Sequence, residues 1–428
     1  MAIEIPTTWT PVRKLVFRFA FLYFLLYTFP APVGMFVPWL NFLTTGFWDA
    51  VVVWTGHSVF HVDITVRPAG SGDTTWNYVQ LFCIIIFSLL GTVVWSMADR
   101  RRADYSRLFT ALTIWLRYYL AMHLVFYGTA KVFKTQFPFP IHEQLMTPMA
   151  MMSPMGLLWR FMGYSTLYNI FTGGCEVLGG LLLFFRRTTT LGALVSVGVM
   201  IHVWILNLSY DVPVKLFSGH LTLIAIFLLM PQLRRLTNFF VLNKPVAPEV
   251  IVPLFEGRKA RWFMLAGKLI MIGFIAGFGV VGSINNRAEI DAFHAKAKAR
   301  SESAVGTYEV IEQRTNGVAI PTENATARWK QISVATTDRA TVHYMDGAEI
   351  QWRFAADSVR AKMSLVSFDY STIYQFKYKT QAGNLYVLKG TMNGDSIHIQ
   401  MRKNPGGKEQ MPLTSRGFHW INEFPFNQ

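Results

Sequence analysis

Residues 108–131 read LFTALTIWLRYYLAMHLVFYGTAK. A helix of this composition is long enough to cross a bilayer, whose hydrocarbon core of roughly 30 Å takes about 20 apolar residues. Yet it carries Arg117, Tyr119, His123, Tyr127 and Lys131, polar groups that a lipid-facing surface accepts only at a cost. Tyr119, His123, Tyr127 and Lys131 recur at steps of i, i+4 and share one helical stripe. Arg117 lies two heptads before Lys131 and falls close to the same face. Such a stripe must face protein or a wet cavity. The stretch therefore predicts a helix inside a membrane bundle, with a polar interior.

Working outward, six more apolar runs lie at about 14–32, 76–97, 165–185, 190–207, 213–231 and 262–284. The expected fold is an α-helical membrane bundle of about seven transmembrane helices. Composition agrees: the chain is 52% hydrophobic and 15% charged with mean hydropathy +0.30, where soluble chains are roughly 25% charged. A net charge of +15 would suggest nucleic acid in a soluble protein. Here the basic residues cluster between apolar runs, so the lipid bilayer is the expected partner and nucleic acid is not. Cys83 and Cys175 stand far apart inside apolar runs, without a CxxC pair or zinc spacing.

The basic clusters set the expected orientation. Arg13 and Lys14 precede the first run, Arg100, Arg101, Arg102 and Arg107 separate the second from the third, and Arg186 and Arg187 separate the fourth from the fifth. Arg234, Arg235, Lys244, Arg258, Lys259 and Arg261 fill the last such loop. The positive-inside rule makes these cytoplasmic. The expectation is an inner (cytoplasmic) membrane protein with its N-terminus inside, an uncleaved signal anchor, and a C-terminal periplasmic domain. Segment 33–62, rich in Trp and Phe but interrupted by Pro38 and by glycines, reads as a helix lying in the outer interface.

From residue 305 the pattern changes. TYEVIEQR, RWKQISV, ATVHYM, EIQWRF, VRAKMSLVSF, TIYQFKYKT, NLYVLKG and SIHIQMRK alternate in polarity and are punctuated by Asp346-Gly347, Gly383-Asn384 and Asn393-Gly394-Asp395. They predict a C-terminal all-β, lipocalin-like antiparallel barrel or sandwich, whose interior is wide enough for side chains or one small ligand. The tail RGFHWINEFPFN is expected to close it, tucking in Phe424 and Phe426. The domains are then 1–285 in the membrane, 286–304 as a helical stalk, and 305–428 as the outer barrel.

Further polar residues sit at bilayer depth. Glu176, near the middle of its run, has no route to water and must be protonated or paired. His202 and His220 lie in the next two runs. Each of these is a candidate functional group or a satisfied structural one. Asn207, Asp211 and Lys215 follow one another at four-residue steps, with an Asp211–Lys215 salt bridge as the simple reading. His57, His61 and Asp63 lack a clear third ligand type beyond the pair of imidazoles, so no metal is expected. Asp73 and Thr74 read as N-cap residues of the second span.

The segment EVLGGLLLFFRRTTTLGALVSVGVMIHV, with its mid-span Glu176, paired glycines and arginine turn, resembles the DoxX-like membrane proteins, whose namesake is a subunit of a thiosulfate:quinone oxidoreductase. The run YGTAKVF is similar to the lysine-bearing segment of the horizontally transferred transmembrane domain of vitamin K-dependent gamma-carboxylases. The DoxX-like likeness spans roughly residues 108–235. It implies that Lys131 is a quinol base and that Glu176 occupies the family's glutamate position; the outer barrel belongs to neither pattern.

Two functions follow as alternatives. In the first, the bundle is a quinone-linked, or otherwise lipid-soluble-substrate, oxidoreductase: Lys131, Tyr127 and His123 handle the quinol hydroxyl, and Glu176 with His202 passes the proton on. Arg117, His220, Asn207, Asp211 and Lys215 would then help bind substrate. A quinone is the cofactor or lipophilic small molecule expected, and because the sequence carries no metal, haem or flavin signature, electrons would pass directly between substrate and quinone or to a partner subunit. In the second, the chain is a non-enzymatic scaffold or assembly protein whose barrel recruits an outer-side protein partner.

Overall fold

The computed structural model describes residues 8–31, 33–35, 37–66, 72–140, 144–145, 147, 149, 152–247, 257–301, 306–334, 339–357 and 360–404. The expected barrel-closing tail with Phe424 and Phe426 lies outside them. The chain divides into two compact units, residues 1–138 with 153–286, and residues 139–152 with 287–428.

The first unit is helical. Its helices are α1 (Pro11–Thr28), α2 (Pro38–Thr55), α3 (Thr75–Ala98), α4 (Ser106–Val132), α5 (Pro154–Tyr164), α6 (Thr166–Phe184), α7 (Thr189–Ser209), α8 (Lys215–Leu229), the single turn α9 (Leu233–Leu236) and α10 (Arg258–Ser301). Local chemistry sets several of the starts. Proline at the first helical position opens α1, α2 and α5, where its missing N–H is no loss. Thr74 and Asn77 form a capping box on α3, and Ser165 accepts the Tyr168 amide at the head of α6.

Among the described residues, six helical segments are long and apolar enough to cross a membrane: Thr75–Ala98, Ser106–Val132, Thr166–Phe184, Arg186–Ser209, Lys215–Val241 and Leu265–Ala292. The chain is thus a multi-pass helical membrane protein. The expected first span, α1, falls short of that composition because Arg13, Lys14 and Arg18 occupy its first half. Arg18 is buried and ties α1 to the α3–α4 turn, donating to Tyr105 Oη, Ser96 Oγ and the Asp99 carbonyl at 2.7–3.0 Å. Pro38 starts α2 rather than interrupting it, and the helix runs through Gly46. The stretch expected as a helical stalk is helical as far as Ser301, continuous with the last span in α10; the alanine-rich sequence after Asn286 offers nothing to break it.

Helix α4 carries much of the bundle core, with Leu116, Leu120 and Ala121 fully buried. Its closest partner is α6. A Cβ on Gly128 would lie 2.6 Å from the Gly173 carbonyl oxygen, and one on Gly173 would lie 2.5 Å from that of Gly128. The two backbones touch because neither position has a side chain.

The second unit holds a closed antiparallel barrel. Strands β1 (Gly306–Thr315), β2 (Val318–Ala319), β3 (Trp329–Val334), β4 (Arg339–Tyr344), β5 (Glu349–Asp357), β6 (Lys362–Val366), β7 (Ile373–Gln381), β8 (Leu385–Met392) and β9 (Asp395–Lys403) run in the order 2-1-3-4-5-6-7-8-9. Pairing of β1 with β9, from Tyr308↔Lys403 to Thr315↔Ile397, closes eight strands; the two-residue β2 is an appendage of β1. A sandwich is thereby ruled out. Asn393 and Gly394, both at positive φ (52° and 91°), make the two-residue turn that the strand twist favours between β8 and β9.

Candidate functional site

The Gly128–Gly173 contact has a consequence three residues on. Lys131 and Glu176 each follow one of these glycines by i+3, so backbone contact at one level brings the two charged side chains together at the next. The Lys131 Nζ donates to both carboxylate oxygens of Glu176, at 2.7 and 2.8 Å. Only 6% of Lys131 and 2% of Glu176 is exposed, so each charge depends on the other.

The pair lines a cavity of about 270 Å³. Leu124, Met155, Leu158, Trp159, Phe217 and Leu221 supply apolar wall, and His123, Tyr127, Gln136, Asn207 and Ser218 add polar groups. His123 Nδ1 stands 2.9 Å from the Tyr119 carbonyl. A carbonyl only accepts, so Nδ1 carries the proton and Nε2 of the neutral ring is an acceptor. Asn207 Nδ2 donates to Ser218 Oγ at 3.0 Å. An apolar chamber with a few convergent polar groups is the usual form of a small-molecule site.

Tyr127, Val214 and Phe217 also line a second cavity of about 280 Å³, which holds Tyr27, Asn77, Gln80 and His220. His220 Nδ1 lies 2.6 Å from the Leu216 carbonyl and its Nε2 lies 2.7 Å from Tyr23 Oη. The first contact makes Nδ1 the donor, so the Tyr23 hydroxyl donates to Nε2. Tyr27 stacks on the ring at 3.8 Å. His220 thus sits in the neighbouring chamber, apart from Glu176.

The other sequence candidates are dispersed. Arg117 donates through Nε and Nη2 to the Leu183 carbonyl at 3.0 and 2.8 Å, satisfying the C-terminal end of α6. It also lines a larger cavity of about 700 Å³ together with Arg13, Arg186, Arg234 and Arg235. His202 is exposed and lines neither of the two smaller cavities. Lys215 pairs with Asp211 at 2.6 Å, and that aspartate is 80% exposed. Among the described residues no group of three or more His, Cys, Asp or Glu side chains is placed to hold a metal ion.

Sequence reasoning missed several contributors. Asp73 caps α8 rather than α3: its carboxylate accepts the backbone N–H groups of Lys215 and Leu216 at 2.7 and 2.9 Å. Gln136 and Ser218 carry no signal of their own, because their place at the cavity depends on how the helices pack.

Comparisons with known proteins add one relative. No family model and no solved structure matches the chain. The uncharacterized protein YwoB of Bacillus subtilis (strain 168) is 31% identical over 124 residues, which make up 29% of this chain and 79% of YwoB. With most of YwoB's length covered at that identity, the chain belongs to the same protein family as YwoB.

Proposed function

We propose that the bundle binds a lipid-soluble molecule of the quinol type in the cavity beside Lys131 and Glu176, and serves as a quinone-linked membrane oxidoreductase. The observation that carries this reading is the buried, ionisable pair on the wall of an apolar cavity. A quinol needs an apolar slot for its ring and an acceptor for its hydroxyl proton. The Glu176 carboxylate accepts that proton directly, or Lys131 accepts it after passing its own to Glu176. In either route the proton ends on the carboxylate, and the ammonium remains beside the quinolate oxygen. His123 Nε2 is a second acceptor on the same chamber. The electrons pass to a partner protein or a second substrate. The resemblance of 108–235 to the DoxX-like proteins supports this assignment, as does that of YGTAKVF to the lysine segment of the carboxylase-type domain.

The proposed setting is the inner membrane, with the arginine-bearing turns cytoplasmic and the barrel on the outer side. From α4 onward this orientation does not depend on whether α1 crosses. Five spans separate the 99–107 turn from the barrel, and the turns at 186–187 and 234–235 both fall on the inner side.

A scaffold whose barrel recruits an outer-side protein is the second reading, favoured by the way each charge of the pair already satisfies the other. Variants separate the two. Removing one partner of a buried pair costs about 3–5 kcal/mol, so the informative change is the double replacement Lys131→Met with Glu176→Leu, which leaves no unpaired charge. The expected outcome is a folded protein that no longer binds decylubiquinol. Full quinol binding by the double variant would leave the scaffold.

A further inference from the structure

Four lysines crowd one side of the barrel wall. Strand β7 carries Lys377 and Lys379, and its neighbours carry Lys362 on β6 and Lys389 on β8. Each stands next to an inward residue: Met363 follows Lys362, Phe376 and Tyr378 flank Lys377, and Leu388 precedes Lys389, with Met363, Phe376 and Leu388 buried. Side chains alternate across a strand, so the lysines project outward, and all four are exposed.

The strand register sets three of them side by side. Lys362 is the direct partner of Lys377, and Lys377 of Lys389. Directly opposed side chains lie about 5 Å apart, and like charges at that spacing are destabilising. Lys379 follows Lys377 on the same face of β7. Among the described residues none of the four makes an ion pair. Asp357, opposite Lys362, lies instead at 3.8 Å from Arg360. Beyond Lys389 the row runs through His398 to Arg314, which pairs with Glu312. The far wall differs: β3, four strands from β7 in either direction round the closed barrel, carries one lysine, Lys330.

We infer that this lysine face docks the barrel on a bilayer that bears anionic phospholipids. The neighbouring row, Ser364, Gln375 and Thr391, is also in register and offers neither aromatic nor arginine. Protein partners are held by such anchors, and their interfaces are depleted in lysine. Headgroups need no anchor, and each lysine at an anionic surface strengthens attachment about fivefold. The surface is also within reach. The last span ends at Ala292, the helix continues to Ser301, and β1 begins at Gly306. At about 1.5 Å per helical residue and at most about 3.5 Å for each residue after it, β1 starts within roughly 30 Å of the bilayer. The inference depends on neither the quinol reading nor the orientation, since its residues all lie in the barrel and the tether is the same on either side.

The test uses the full-length protein in lipid nanodiscs of phosphatidylcholine, alone or mixed with phosphatidylglycerol. Brief acetylation with an N-hydroxysuccinimide ester, read by peptide mass spectrometry, reports how accessible each lysine is. Phosphatidylglycerol should lower the reactivity of Lys362, Lys377, Lys379 and Lys389 about fivefold and leave Lys330 unchanged. Salt at about 1 M, where the Debye length is only about 3 Å, should restore it. Lys377→Gln with Lys379→Gln should remove most of the protection of Lys362 and Lys389. Equal reactivity of the four lysines in the two discs would overturn the bilayer as partner, with an acidic protein as the remaining occupant. Equal protection of Lys330 would overturn the assignment to this face. So would undiminished protection of Lys362 and Lys389 in a double variant with unaltered circular dichroism.

Discussion

Gly173 shows how one missing side chain governs the candidate chemistry. An added methyl would meet the Gly128 carbonyl oxygen at 2.5 Å and the Val132 amide nitrogen at 3.0 Å, both backbone atoms that cannot rotate away. Gly173→Ala should therefore push α4 from α6 and cost about 1–3 kcal/mol, the usual penalty for overpacking. It should also lengthen the Lys131–Glu176 contact and weaken quinol binding, although neither charged residue is changed. Thermal unfolding together with decylubiquinol titration checks this; unchanged stability and affinity would contradict the close packing. The charged residues themselves were legible in the sequence, because lysine and glutamate at bilayer depth are costly enough to stand out. Their pairing was not legible. Lys131, His202 and His220 could each have reached Glu176, and the choice is made by a glycine contact between helices that are distant in sequence.

At the scale of elements, the β6–β7 connection is held by one exposed carboxylate. Asp369 Oδ1 accepts from Ser367 Oγ at 2.6 Å, Ser371 Oγ at 2.8 Å and the Ser371 amide at 3.1 Å. Hydrogen bonds from the two serines hold its pKa at about 2, below the ordinary 3.8. Because the folded value is depressed, the turn's stabilisation is present above the ordinary value and is lost as pH falls through about 2. An NMR titration of the Asp369 carboxyl should give a midpoint near 2; a midpoint near 4 would mean the serine contacts are absent. All eight barrel strands were readable from alternation and turn dipeptides, because local pattern decides strand existence. Closure was not readable, since barrel and sandwich differ only in whether β1 finds β9, some ninety residues along the chain. The helix that continues past the last span to Ser301 follows for a related reason: a change from apolar to polar sequence ends a membrane span without ending a helix.

For the whole molecule, the arginine turns carry the proposed orientation. Alkaline phosphatase fused after Gln428 should be active and fused at Arg102 inactive, as the proposed outer barrel and inner 99–107 turn require. The reverse pattern would invert the orientation and place the barrel in the cytoplasm. The central claim is that the cavity at Lys131 and Glu176 holds a quinol-type lipophile, and native mass spectrometry of the purified full-length protein tests it most directly. The account predicts a co-purifying quinone, or one equivalent of added decylubiquinol, lost from the Lys131→Met, Glu176→Leu double variant. A protein that carries no quinone and takes up none, or a double variant that binds it as well as the unaltered chain, would contradict the claim.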